Sequence, residues 1–298
     1  MPVSGKENRM IGKYSEYYNK APEQIAAEHM AKGRRRKAVF LLEQAALIGL
    51  IILFMMGSSS GALFYILILA SVALDIRYAM KGGKHFQNLS EILLADCDPV
   101  KYRRVMEIFL ADKRNRRARS TLLLECALAE FHEDRPADAL RHLQEVTYKS
   151  PKNPRWIRKY NVEALCRHAV GDFNGRNACL QKLEQYRVSF QKAEKNRKIM
   201  DDLLLDLKVI FKPAGQWDAA DAVWIRDRVT LADNRLDQSR WMVREAVYEL
   251  LHGNREKAYD LLAENERGPL TPGTRMWIER IKSQWVKGGT YGYVLYTA

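Results

Sequence analysis

The sequence predicts an all-α protein, a two-helix transmembrane hairpin followed by an α-solenoid of antiparallel helix pairs. Three observations predict it. Two apolar stretches, 38–56 and 61–80, flank the small polar tip "GSSSG" in a chain that is 29% charged. From residue 87 to 287, apolar residues recur at spacings of three and four with no alternating strand pattern. Within that region four segments share one layout, an apolar helix, a short turn and a second helix that opens on small residues. The chain therefore divides into an arm (1–37), the hairpin (38–80), a basic segment with a leading cap helix (81–120), repeats with a closing cap (121–289) and a tail (290–298).

In the arm, Pro22 suits a first helical position, and "PEQIAAEHMAKGRRRK" can run on towards the first apolar helix, with Gly33 its weak point. Each apolar stretch is close to the ~20 residues that span a ~30 Å hydrocarbon core. Glu43 and Gln44 interrupt the first and Asp75 and Arg77 the second, all at the ends away from the tip, where polar groups reach interfacial water most easily. Folding about Ser59 brings Glu43 to the depth of Arg77 and predicts an ion pair between them. A buried helical pair in a soluble core is the alternative; a cleaved signal peptide fits poorly, because a second apolar stretch follows the first after only a tight turn.

Basic residues flank the hairpin on both sides and are missing from its tip. The positive-inside rule then predicts a multi-pass protein of the inner cell membrane with both termini cytoplasmic. Residues 1–120 hold 20 Lys/Arg against 11 Asp/Glu, a net +9, whereas 121–298 hold 29 against 25, a net +4. Lys32, Arg34, Arg35, Arg36, Lys37, Lys81 and Lys84 are the candidates for contact with anionic headgroups. The run "DKRNRRARS" (112–120) has no aromatic platform or reading motif beside it, so nucleic acid is not expected as a partner.

After the hairpin, "NLSEILLADCDPVKYRRVMEIFLADK" (88–113) supplies a leading cap, with Asp98 as N-cap and Pro99 at the first helical position. The four repeated segments are 122–151, 160–183, 203–224 and 241–262, and "TPGTRMWIERIKSQWVKGG" (271–289) closes the array with a helix starting at Thr274. One helical hairpin cannot bury its apolar face alone, but stacked neighbours can.

This layout resembles the tetratricopeptide repeat (TPR). The resemblance assigns the turns to Asp134, Gly171, Gly215 and Gly253, the small crossing residues to Ala139, Ala220 and Ala258, and the large packing positions to Leu143, Leu180, Trp224 and Leu262. Pro151 matches the proline that ends a unit. Arg176 stands where the second unit should have a small residue, and the turn-to-turn spacings of 37, 44 and 38 exceed the family's roughly 34. The "DCDP" entry after the hairpin is also similar to membrane-tethered repeat proteins of Gram-positive bacteria. What the resemblance implies is a scaffold or adaptor that binds protein or peptide partners, here at the cytoplasmic membrane face. The alternative is an accessory subunit of a transporter or envelope-assembly complex with the hairpin as its interface.

Positions off the packing register give the partner-binding candidates Arg158, Tyr160, Arg167, Arg226, Arg240 and Arg244, which would suit an acidic peptide or a carboxylate terminus. Solvated ion pairs are the plainer reading of each. Catalysis has little support: there is no P-loop, HExxH or GxSxG, and the six histidines are dispersed, with His132 and His142 read as exposed helix-end residues. No cofactor or metal is expected. Cys97, Cys126, Cys166 and Cys179 lack metal or redox spacing and read as packed thiols. Most of the six tryptophans read as core, and the tail "TYGYVLYTA" as a strand or short recognised segment.

Overall fold

A computed structural model describes residues 14–56, 61–189 and 194–286, and over these the chain is all-α, with thirteen helices and no strand. It forms two compact units, residues 19–91 and residues 92–298 together with 1–18.

The first unit is a helical hairpin. α1 (Pro22–Met56) starts at the predicted proline and runs unbroken through Gly33 and the basic run, and α2 (Gly61–Gln87) returns along it. Polar groups hold the two together: Gln44 Nε2 donates to Asp75 Oδ1 at 3.1 Å, and Ser71 Oγ donates back to Gln44 Oε1 at 2.9 Å. The predicted Glu43–Arg77 pair forms at 3.7 Å, and Phe40 stacks on Tyr78 with ring centroids 4.3 Å apart. The transmembrane expectation is overturned. Among the described residues no helix is long and apolar enough to cross a membrane, which removes the basis for a multi-pass inner-membrane location with cytoplasmic termini. Physically, Glu43 and Gln44 on one helix and Asp75 and Arg77 on the other cut short the apolar stretches that hydropathy had joined. The tip residues 57–60 lie outside the described residues.

The second unit begins with α3 (Glu91–Leu94) and α4 (Pro99–Ala111). Asp98 caps α4 as predicted, accepting from Lys101 N at 2.9 Å with Pro99 at the first position. Residues of the arm tie down here, since Ser15 N donates to the buried Asp96 at 2.7 Å and Lys101 Nζ donates to Tyr18 O at 2.7 Å. Then follow α5 (Arg119–His132), α6 (Pro136–Glu145), α7 (Arg155–Ala169), α8 (Phe173–Ser189), α9 (Glu194–Phe211), α10 (Ala219–Leu231), α11 (Arg235–Leu251), α12 (Arg255–Glu266) and α13 (Pro272–Val286).

Three of the four predicted turns are built alike. Asp134 (φ 64°), Gly171 (φ 79°) and Gly253 (φ 82°) are left-handed, and the amide after each donates to the carbonyl five residues back, Arg135 to Glu130, Asp172 to Arg167 and Asn254 to Glu249, at 2.8–2.9 Å. This pattern satisfies the carbonyls that a helix end leaves open. Ala139 and Ala258 are fully buried at the crossings, and Leu143 and Leu262 pack behind them. In the second pair Arg176 keeps its side chain half-buried, and Cys179 and Leu183 fill the core.

The third predicted turn departs. Gly215 is not left-handed and Ala220 is exposed, while Ala222 is buried, two residues out of register. Asp218 caps α10 through a capping box with Asp221, and the buried Trp217 indole donates to Val209 O at 3.0 Å, so a large ring occupies the corner that a small residue was to fill. α10 packs chiefly on α11. α13 starts at Pro272 rather than Thr274, because Thr271 Oγ1 accepts from Thr274 N at 3.2 Å and acts as its cap. This last helix packs on α11 and also reaches α5.

Trp217, Trp241 and Trp277 are core residues, Trp156 and Trp224 are half-buried, and the Trp285 side chain lies outside the described ones. All four cysteines are free and buried, and burial pushes the Cys97 thiol up to about 12 and Cys179 to about 11.

Candidate functional site

The six predicted partner-binding residues separate into three kinds. Arg158, Arg167 and Arg226 are paired with carboxylates. Arg158 reaches the buried Glu125 at 2.7 Å, which also accepts from Tyr102 Oη at 3.0 Å; Arg167 joins Glu163 at 2.7 Å and Asp172; Arg226 joins Glu249 at 2.9 Å. Arg158 and Arg226 thereby join neighbouring helices, while the Arg167 pairs lie within α7 and the turn after it.

Tyr160 belongs to a groove. Where α6 passes through residues 146–154 into α7 and meets α8, four rings form a ladder: Tyr148 meets Trp156 edge-on at 5.3 Å, Trp156 stacks on Tyr160 at 5.6 Å, and Tyr160 faces Tyr186 at 6.4 Å. Backbone carbonyls fix two of them, since Trp156 Nε1 donates to Ser150 O at 3.1 Å and Tyr186 Oη to Pro151 O at 2.6 Å. The groove encloses about 940 Å³ and carries Lys149, Lys152 and Lys182, none of which has a carboxylate partner among the described residues. Lys159 lies over Trp156 at 5.1 Å and donates to Val146 O, and burial pushes its ammonium pKa down. Rigid rings beside unpaired cations suit an acidic segment.

Arg240 and Arg244 form the third kind. Both face inward, where α5, α7, α11 and α13 converge, and neither has a carboxylate within ion-pair distance among the described residues. Arg244 is 3% exposed, lies 5.2 Å from both the Trp241 and Trp277 rings, and donates to Arg240 O at 3.0 Å. Arg240 lies 5.3 Å over Phe131. Burial, and then the Arg240 charge, disfavour the charged form of Arg244, yet a guanidinium keeps its proton.

Two histidines complete this interior, and the expectation of exposed helix ends fails for both members of the predicted pair. His132 is 5% exposed, at the core-facing end of α5. His142 is half-buried and bonded to Glu130 at 2.7 Å, and that bond raises its pKa. His168 is buried beside Arg176 Nη1 at 3.2 Å. Burial first, then the nearby arginines, hold His132 well below the usual range and His168 at about 4, so both are neutral near pH 7.

The predicted headgroup residues sit mid-helix. Lys32, Arg34, Arg35 and Lys37 are exposed on α1 and Arg36 is half-buried. Lys32, Arg35 and Arg36 join Phe40, Arg77 and Tyr78 around a cleft of about 380 Å³ in the hairpin unit. The Lys81 and Lys84 side chains and the tail 290–298 lie outside those described. No group of three or more His, Cys, Asp or Glu able to hold a metal occurs among the described residues.

No protein-family model, no curated protein and no solved structure matches the chain.

Proposed function

We propose that the second unit is a TPR-like helical-repeat scaffold that binds an acidic peptide segment of a protein partner, without chemistry. One observation carries this reading, the Tyr148–Trp156–Tyr160–Tyr186 ladder with Lys149, Lys152 and Lys182 unpaired along it. The three matching left-handed turns and the buried Ala139 and Ala258 support the repeat assignment. Large rings tethered at one end present much surface at small entropic cost, and the lysines favour negative charge.

The test uses the full chain and a labelled peptide of Asp, Glu and Tyr, with a Lys-rich peptide and a single-stranded oligothymidylate as controls. Binding of the acidic peptide alone is expected, weakened roughly tenfold or more by Trp156→Ala or by reversing Lys149 and Lys152 to Glu. Equal binding by these variants, or preference for the oligothymidylate, overturns the reading.

A second reading has its own observation. The hairpin unit leaves large apolar side chains outward, Leu42 at 71% exposure and Leu53, Tyr65 and Leu69 at 68%, a surface of the kind that another chain covers. In-cell cross-linking of the full chain against a Leu42→Gln, Leu69→Gln variant separates the two: partners lost only with these changes belong to the hairpin, and partners lost with Trp156→Ala to the groove.

A further inference from the structure

A separate feature lies in the interior of the repeat unit. Where the first turn of α13 meets the end of α5 and the middle of α11, a cavity of about 30 Å³ is walled by Arg240, His132, Thr271, Gly273, Thr274 and Trp277. One water needs about 10–15 Å³ by this measure, so the space holds a chloride-sized ion or two waters and excludes a side chain.

Its walls are rich in donors. The Arg240 guanidinium has no hydrogen bond or ion pair among the described residues, only the Phe131 ring at 5.3 Å. Arg235, on the same helix, shows how this fold ordinarily satisfies a buried guanidinium: its Nε donates to Pro269 O at 3.1 Å and its Nη2 to both oxygens of Asn265. Arg240, which is half-buried, has no comparable set of acceptors among the described residues. His132, 95% buried, also makes no hydrogen bond among the described residues. Thr271 and Thr274 share one hydroxyl hydrogen bond at 2.9 Å, which uses one of their two hydroxyl hydrogens and leaves the other free. Gly273, in the first turn of a fifteen-residue helix, has an amide with no intrahelical acceptor, and the positive end of that helix faces the cavity.

Acceptors are scarce by comparison. Asp134 is the one carboxylate on the wall, and it is exposed and outside ion-pair distance of Arg240. Arg240 is half-buried with no carboxylate within ion-pair distance among the described residues, and waters can solvate its guanidinium without neutralising it, whereas an anion does both. We propose that this cavity binds a small monovalent inorganic anion, of chloride size, held by Arg240 with His132, the Thr271/Thr274 hydroxyls and the Gly273 amide. The ion ties α5, α11 and α13 together, joining the first repeat to the closing helix. The site is independent of the peptide groove.

The test is thermal unfolding of the full chain with sodium chloride titrated against sodium gluconate at constant ionic strength, gluconate being too large for the cavity. A midpoint rise that saturates with chloride, reaching several degrees at large excess, is expected from binding to the folded state alone. Chloride NMR linewidths of the folded protein read the same binding directly. Arg240→Met, and separately Thr271→Val, should each abolish or weaken the saturable rise and the line broadening at least tenfold. Equal midpoints in chloride and gluconate overturn the proposal, as water-filled space would give, and so does an unaltered chloride response in both variants.

Discussion

Helix α11 carries charge inward on two faces that are handled in opposite ways. On one, Glu245 and Glu249 are buried but ringed by donors: Glu249 accepts from the cations Arg226 at 2.9 Å and Lys257 at 2.7 Å and from the neutral Asn254 amide at 2.6 Å. On the other, Arg240 and Arg244 meet aromatic rings and each other, with neutral His132 and His168 nearby. Four residues of sequence separate each pair, as an α-helix requires for a shared face. The difference teaches that burial alone does not define a binding residue; what matters is whether the fold supplies the counter-charge.

Acid should break the two faces in different windows, and this is the largest effect expected. Burial raises the Glu249 carboxyl, but hydrogen bonds from Lys257, Asn254 and Arg226 outweigh it and hold the group at about 2, below its ordinary 4.5. Its contribution is therefore complete above pH 4.5 and is lost as pH falls towards 2. His168, held at about 4 against an ordinary 6.5, stays neutral in the folded chain while the unfolded chain takes up a proton, so stability falls between pH 6.5 and 4. Each displacement corresponds to about 3 kcal/mol when fully expressed. Urea midpoints at pH 7, 5, 4 and 3 should show the cationic face failing first, and His168→Gln should flatten the first decline while leaving the second. A single decline below pH 4.5 in the parent chain would show the histidines to be solvated.

At fixed pH 7 the faces should respond to truncation with opposite sign. Glu249→Ala removes an acceptor shared by three donors and is expected to cost about 2 kcal/mol, moderated because Arg226 and Lys257 are nearly half exposed and can return to water. Arg244→Met keeps the volume between Trp241 and Trp277 and removes an uncompensated charge, so in a gluconate buffer it should be neutral or gain about 1 kcal/mol. Chemical denaturation of both variants checks this, and a loss at Arg244 as large as that at Glu249 would mean that its ring contacts outweigh its desolvation.

How much of this was legible in the sequence follows from what kind of signal each element has. The turns at Gly171 and Gly253 were legible because a left-handed residue at a helix end leaves a local mark, and the cap at Asp98–Pro99 for the same reason. The third turn was not, because Trp217 fills its corner and no rule of spacing encodes that. The hairpin was legible as two helices, and even its Glu43–Arg77 pair was, but hydropathy joined stretches that Gln44, Ser71 and Asp75 divide by hydrogen bonding across the pair. At the candidate site, sequence placed Tyr160, Arg240 and Arg244 among its residues yet could not tell them from Arg158, Arg167 and Arg226, since partners such as Glu125 and Glu249 lie 33 and 23 residues away. Lys149, Lys152 and Lys182 were missed altogether. The cluster "TYKSPKNPRW" around the first two, aromatic and basic between two helices, is the unused signal that would have found them.

The smallest expected effect sharpens the comparison at its paired face, where the turn after α11 delivers one of the donors. Gly253 at φ 82° turns the chain so that Asn254 reaches Glu249, and a Cβ added there would meet nothing within 4 Å. Its substitution by Ala is therefore a pure test of backbone conformation. About 1 kcal/mol should be lost, the cost of a left-handed L-residue. Gly171→Ala, with the same φ and the same open space but no buried carboxylate at the fourth residue back, should lose about as much. Asp134, an Asp already in that conformation, sets the opposite sign: Asp134→Gly relieves the strain and should gain a few tenths of a kcal/mol. If Gly253→Ala costs clearly more than Gly171→Ala, the excess measures what the Asn254–Glu249 bond adds to the paired face, and equality would assign that face to Arg226 and Lys257 alone.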